Sequence, residues 1–244
     1  MKTSPPRTNK IRGEAAVATR GEPAKRRRMA PQDRERLIVE EATRYFAEHG
    51  LGGGTTELAR RIGITQPLLY RYFPTKQALI ERVYENLFPS GLAPAWEELI
   101  DDTTVPLRNR LSGFYKDYAN SVLTYEHVRL FLFSGLSKFD YNTRYYSELS
   151  QRIFMRIARA LRHEVTATTG LTFPPDIGPE EMELVQSLHG TIYHVGFRRW
   201  VYTPPLRADI DRLIERKVDW FLGGAIGALE AMAEAGREIR PDRG

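Results

Sequence analysis

The sequence predicts an all-α chain: a small N-terminal helix-turn-helix unit followed by a larger helical body. Three observations carry this. Apolar residues recur at helical spacing from Pro31 to about Ala235, with no alternating run of strand length. Two short helical stretches, 57–62 and 66–73, flank Gly63, a residue that takes a left-handed turn at no steric cost. FPSGLAP at 88–94 is dense in Pro and Gly and separates the two parts.

Taken in order, residues 1–28 hold nine Lys/Arg against two Glu, while the whole chain carries +5, so the other 216 residues sum to about −2. With Ile11 and Val17 as the only sizeable apolar groups, this segment is expected to be disordered. It is either a solvated tail or an arm whose Lys25–Arg28 cluster adds phosphate contacts. A membrane-surface role for the same charges is a third, weaker reading. Pro31 opens the first long helix, which runs to His49 and stops at Gly50, with Ile38, Ala42, Tyr45 and Phe46 inward. LGGGTT reads as a flexible connection, with Gly54 or Thr55 as the next N-cap. Leu58, Ala59 and Ile62 make the inward stripe of the second helix. Thr65 caps the third and Pro67 sits in its first turn. Leu68, Leu69 and Phe73 then turn inward, leaving Gln66, Arg71 and Tyr72 outward. A fourth helix is expected from about Pro74 to Leu87.

The body reads as helices over about 95–100, 105–123, 125–137, 143–168, 180–200 and 208–235, with a loop at 171–179. The 125–137 stretch is apolar almost all round, so it is expected to be buried on most sides. The domain division is therefore a tail at 1–28, a helix-turn-helix domain at 29–88, a body at 89–236 and a short C-terminal tail at 237–244. The last helix carries Gly223, Gly224 and Gly227, each costing about 1 kcal/mol of helix propensity relative to alanine. Either a second backbone packs there, or these residues fill the intrachain core.

Several function classes are poorly supported. No run of 18 apolar residues predicts a membrane span, and the N-terminus lacks the apolar stretch of a secretory signal. Zero cysteines exclude disulfides and thiolate metal sites, which fits a cytoplasmic protein. His189 and His194 are five apart, about 140° around a helix, so they do not make a metal pair. There is no GxSxG, HExxH or Walker loop. No cofactor is expected and the chain is not expected to be an enzyme; His189 with Tyr193 is the one weak catalytic candidate.

The stretch ELARRIGITQPLLYRYFPTK at 57–76 resembles the DNA-binding signature of the tetracycline-repressor (TetR) family. Leu58-Ala59, Gly63, Thr65, Leu69-Tyr70, Tyr72-Phe73 and Lys76 carry the match, and Ile38, Ala42, Phe46 and Gly50 fit the family's first-helix pattern. The sequence departs from the pattern at Gly53-Gly54, where the family has a capping hydroxyl pair, and at Tyr72, where histidine is commonest. The resemblance implies a TetR-like fold and a homodimer formed through the last two helices, about 180–202 and 208–235. It implies a regulator of a palindromic DNA operator, most simply a repressor released by a small molecule. An activator or a ligand-independent DNA-binding protein of the same fold are the alternatives.

By the same resemblance, Tyr70 and Lys76 would hold phosphates, with Thr55, Thr56 and Thr65 as added hydroxyl donors and Tyr72 beside them. Gln66 and Arg71 are the groups able to reach base edges, and Pro67 suits a thymine methyl. The family's effector pocket lies among the middle helices. Candidate lining residues are Phe114, Tyr118, Phe131, Tyr145, His189, Tyr193 and Phe197, the last three at i, i+4 and i+8 on one helix face. Such a lining suits an apolar or aromatic effector, although core packing uses the same residues.

Overall fold

The computed structural model describes residues 29–87, 94–137, 141–202 and 206–238. Among the described residues the chain is helical and has no strand. The helices are α1 Pro31–His49, α2 Thr55–Ile62, α3 Gln66–Tyr72, α4 Lys76–Leu87, α5 Pro94–Asp101, α6 Leu107–Ser121, α7 Tyr125–Gly135, α8 Tyr141–Leu149, α9 Met155–Thr169, α10 Pro179–Trp200 and α11 Ile210–Glu238. The expected boundary at 88–94 lies almost wholly outside the described residues, as do the basic tail, the end of the C-terminal tail and Pro204-Pro205.

Local chemistry places the first four helices. Gly50 (φ +77°) ends α1, and Gly63 (φ +75°) ends α2 by giving its N–H to the Ala59 and Arg60 carbonyls. Gly54 is the N-cap of α2. Thr65 Oγ1 accepts the Leu68 N–H at 3.3 Å, so it caps α3 as expected. Helix α4 starts at Lys76 because Thr75 Oγ1 caps it through the Ala78 N–H at 3.0 Å. The glycine run before α2 is not merely a flexible connection. A Cβ at Gly53 would lie 2.6 Å from the Tyr45 ring, so the loop is folded under that ring and needs glycine there.

Two hydrophobic cores result. The head buries Ile38, Ala42, Phe46, Leu58, Leu69, Leu79, Val83 and Tyr84. The body buries Ile100, Leu111, Phe114, Tyr118, Ile153, Phe154, Ile157, Leu161, Ile192, Ile214 and Val218 among others. Helix α7 belongs to both: Leu130 is buried in the head core and Val128 in the body core. This accounts for its apolar circumference. Tyr84 O–H donates to the Leu130 carbonyl at 2.7 Å, and Arg129 Nε donates to the Ala47 carbonyl at 2.5 Å, near the end of α1.

The single helix expected over 143–168 is interrupted. Ser150–Phe154 is a π turn, with the Met155 N–H reaching back to the Ser150 carbonyl. One extra residue fits into this turn without a break in the helical path. At the far end, Arg162 of α9 ties the 170–178 loop to the start of α10. It donates to both Glu181 carboxylate oxygens at 2.5 and 2.6 Å and to the carbonyls of Pro174 and Asp176.

Candidate DNA-binding surface and effector site

Helix α3 has one buried residue, Leu69, which points it into the head core. Pro67, Tyr70 and Arg71 are exposed on it and Gln66 is half-buried. Tyr72 was expected outward. It is half-buried and packs against the head core, so it supports the helix more than it faces solvent.

A hydrogen-bond clip joins α2 and α3. Gln66 Nε2 donates to Thr55 Oγ1 at 3.0 Å, and Thr55 Oγ1 lies 3.0 Å from the Tyr70 hydroxyl. Thr55 Oγ1 keeps a second lone pair and its own hydrogen beside the bond from Gln66, so either hydroxyl can be the donor in the Thr55–Tyr70 bond. Thr55 itself is buried and bonded to both Gln66 and Tyr70, whereas Thr56 and Thr65 are exposed.

Lys76 sits at the start of α4 with Nζ 5.8 Å from the centre of the Phe46 ring. Partial burial holds its ammonium below the usual lysine range, and the neighbouring Tyr70 phenol acts in the opposite sense. Residues 31–87 carry eight basic and eight acidic side chains, so the head has no general positive field. Arg60 and Arg61 are paired with Glu57 and Glu48. Among the described residues, Arg71 enters no ion pair.

In the body the expected ring residues converge. Around His189 stand Tyr115, Tyr118, Tyr146, Phe154 and Tyr193, with ring centres 4.9–6.3 Å away. Tyr193 meets Phe131 at 5.2 Å and Phe197 at 5.3 Å. Tyr145 O–H donates to the Tyr118 hydroxyl at 3.3 Å, and that hydroxyl lies 3.4 Å from His189 Nε2. Phe114 stands one layer back, between Trp96 and Tyr118. His194, by contrast, is exposed and meets Tyr202 edge-on, with ring centres 5.7 Å apart.

The sequence reading missed His127, which is buried with its ring 5.6 Å from Tyr145 and 6.4 Å from Tyr193. Its i+4 neighbour Phe131 was singled out, so helical spacing offered the signal. Burial lowers the pKa of both His127 and His189 to about 3, so both imidazoles are neutral. Among the described residues there is no group of three or more His, Cys, Asp or Glu placed to hold a metal ion. No described helix is long and apolar enough to cross a membrane.

Comparison with known proteins agrees with this geometry. Residues 38–83 match the family described as bacterial regulatory proteins, tetR family. No curated protein matches the chain. Among solved structures, a tetR-family transcriptional regulator from Streptomyces coelicolor is similar at a TM-score of 0.56 and 20% identity, over 88% of this chain and 93% of that one. The ketosteroid transcriptional regulator KstR2 of Mycobacterium tuberculosis is similar at 0.56 and 20%, over 78% and 94%. PfmR from Thermus thermophilus is similar at 0.54 and 18%, over 76% and 96%. These likenesses carry the fold, and the 38–83 match carries the helix-turn-helix head. The head at residues 38–83 thus matches the tetR family of bacterial regulatory proteins, and the chain as a whole has the all-α fold of the tetR-family regulators it is similar to.

Proposed function

We propose that this protein is a homodimeric repressor that holds a palindromic operator through residues 29–88 and leaves it when a small aromatic molecule enters the 89–236 body. The observation that carries the DNA reading is the clip on α3, which fixes the exposed Tyr70 ring and the half-buried Gln66 beside exposed Arg71 while Leu69 anchors the helix from behind. Tyr70 and Lys76 take phosphate oxygens and set the register. Gln66 and Arg71 read adenine and guanine edges, Pro67 meets a thymine methyl, and Thr56 and Thr65 add hydroxyl donors. A phosphate beside Lys76 also offsets the burial that disfavours its charge.

Two copies are supported by α11. Trp220 is 75% exposed, and a Cβ built on Gly223, Gly224 or Gly227 meets nothing within 4 Å. No intrachain packing explains those glycines, whereas a second copy's helix fits against them. Release follows from α7. Its His127 and Phe131 face the ring cluster, while Arg129 and Leu130 hold α1 and the head core. A molecule that displaces the rings shifts α7 and the spacing of the two heads, as far as it binds the shifted state better.

The test is fluorescence anisotropy with DNA flanking the protein's own gene against scrambled DNA, over a salt series. Arg71→Ala is expected to weaken operator binding by about 1–3 kcal/mol and to relax preference at one base pair. Lys76→Ala is expected to weaken binding to all sequences and to reduce the salt slope by about 1. Equal binding of the wild type to both DNAs would refute operator recognition by α3.

A further inference from the structure

The ring cluster holds polar atoms that the fold leaves unanswered. Tyr115 O–H, His189 Nδ1 and Tyr193 O–H are buried, and none has a hydrogen-bond partner among the described residues. Tyr115 is 0% exposed, His189 1% and Tyr193 7%. A buried polar group without a partner costs about 1–3 kcal/mol, and three around one imidazole need a reason.

The hydrogen-bond chain decides what is missing. Tyr145 O–H donates to the Tyr118 oxygen, so the Tyr118 hydrogen is available to His189 Nε2. The imidazole is neutral, so its one hydrogen is then on Nδ1. His189 therefore presents an N–H donor, and the phenols of Tyr115 and Tyr193, with ring centres 6.1 and 6.3 Å from it, present O–H groups that both donate and accept. The aromatic neighbours bring no ammonium, guanidinium or carboxylate to the imidazole. An ionised ligand would lose its hydration here with no opposite charge to replace it. The same cluster holds the rings of Phe131, Phe154 and Phe197, with half-buried Tyr145 and Tyr146 of α8, and Phe154 belongs to the adjoining π turn.

We infer that the effector is an uncharged aromatic molecule with an oxygen acceptor and a hydroxyl, its acceptor on His189 Nδ1–H and its hydroxyl on Tyr193 or Tyr115. This rests on the effector reading above and narrows it to a chemical class. Phenolic ketones have this composition, whereas aromatic acids carry a charge and plain hydrocarbons carry neither polar group. His189 and Tyr193 then act as specificity residues, because a site built to bond a polar group disfavours the analogue without it.

Three probes sharing two linked rings separate these cases: 4-hydroxybenzophenone at a pH that keeps its phenol protonated, 4-benzoylbenzoate, and diphenylmethane. Each is titrated into the full-length protein, with tyrosine fluorescence and thermal stability as readouts. The hydroxyketone is expected to bind tightest and to lose about tenfold in affinity in His189→Phe and in Tyr193→Phe. Diphenylmethane is expected to keep its affinity in both variants. The ligand-free Tyr193→Phe protein is expected to melt no lower than wild type, since an unanswered hydroxyl has been removed without taking a partner from another group. Tyr115→Phe is a further variant should His189→Phe fail to fold. Equal or tighter binding of the carboxylate, or a hydroxyketone affinity indifferent to all three substitutions, overturns the chemical class while leaving an effector site in place. If none of the probes binds the wild type, the effector site in this cluster is refuted along with the class.

Discussion

Leu69→Ala is expected to destabilise the protein by about 2–5 kcal/mol and to remove sequence-specific DNA binding with it. Helix α3 is seven residues long, too short to persist without packing. Leu69 is its one buried side chain, 1% exposed, against Ile38, Phe46, Leu58 and Leu79 in the head core. The Thr65 cap and the Thr55–Tyr70 bond are each worth about 1 kcal/mol, so they do not replace that burial. Leu69→Met keeps the volume and is expected to cost less than about 1.5 kcal/mol. Urea unfolding of the three proteins measures this, with operator anisotropy on the same samples. A Leu69→Ala midpoint within error of wild type would mean that α3 is held by something other than its buried leucine.

The second large effect is at the opposite end of the molecule. Glu181→Ala is expected to cost about 3–5 kcal/mol, because it strands a buried guanidinium. The Arg162 and Glu181 side chains are both 11% exposed. Glu181 also accepts the Gly178 N–H at 2.7 Å, satisfying a backbone donor at the start of α10. Burial works against the Glu181 charge, but the hydrogen bonds from Arg162 and Gly178 prevail and hold its pKa below the ordinary 4.5. The folded protein therefore binds the proton less readily than the unfolded chain. This contribution is complete above pH 4.5 and is lost as pH falls from there through the folded value. His127 and His189, lowered from 6.5 to about 3, lose stability in the same direction but over a window that opens earlier. Glu181→Gln is expected to flatten the stability profile below pH 4.5 and to leave the slope between 4.5 and 6.5 unchanged. Denaturant midpoints measured across this range test both statements.

The head was legible because its determinants are local. Pro31, Gly50, Gly63, Thr65 and Thr75 act on the backbone within a few residues of themselves, and the structure uses each as its chemistry suggests. What escaped depends on distance. The Thr55 clip joins residues 11 and 15 apart, so nothing in α2 alone shows that Thr55 bonds Gln66 and Tyr70. Gly53 reads as slack until Tyr45 lies over it. His127 shares a helix face with Phe131, but a lone histidine in an apolar helix reads as core, so that spacing did not single it out. The π turn was invisible for another reason: Leu149, Ile153, Ile157 and Leu161 keep regular four-residue spacing across it, and periodicity alone does not show an added residue. Likewise, sequence placed Phe114 and Tyr118 in one set, while the packing puts only Tyr118 against His189.

The π turn at Ser150–Phe154 makes chain length itself a constraint in this segment. Each residue of an α-helix turns the chain by about 100°. Removing one residue from the turn would restore unbroken α geometry and raise helix content, yet would swing Tyr145 and Tyr146 round relative to Phe154, from which Tyr146 now stands 6.4 Å. A one-codon deletion here is thus compatible with folding and incompatible with this ring cluster, whereas many substitutions on the solvent side are compatible with both. Sequences that share this cluster should align through 150–154 without a gap.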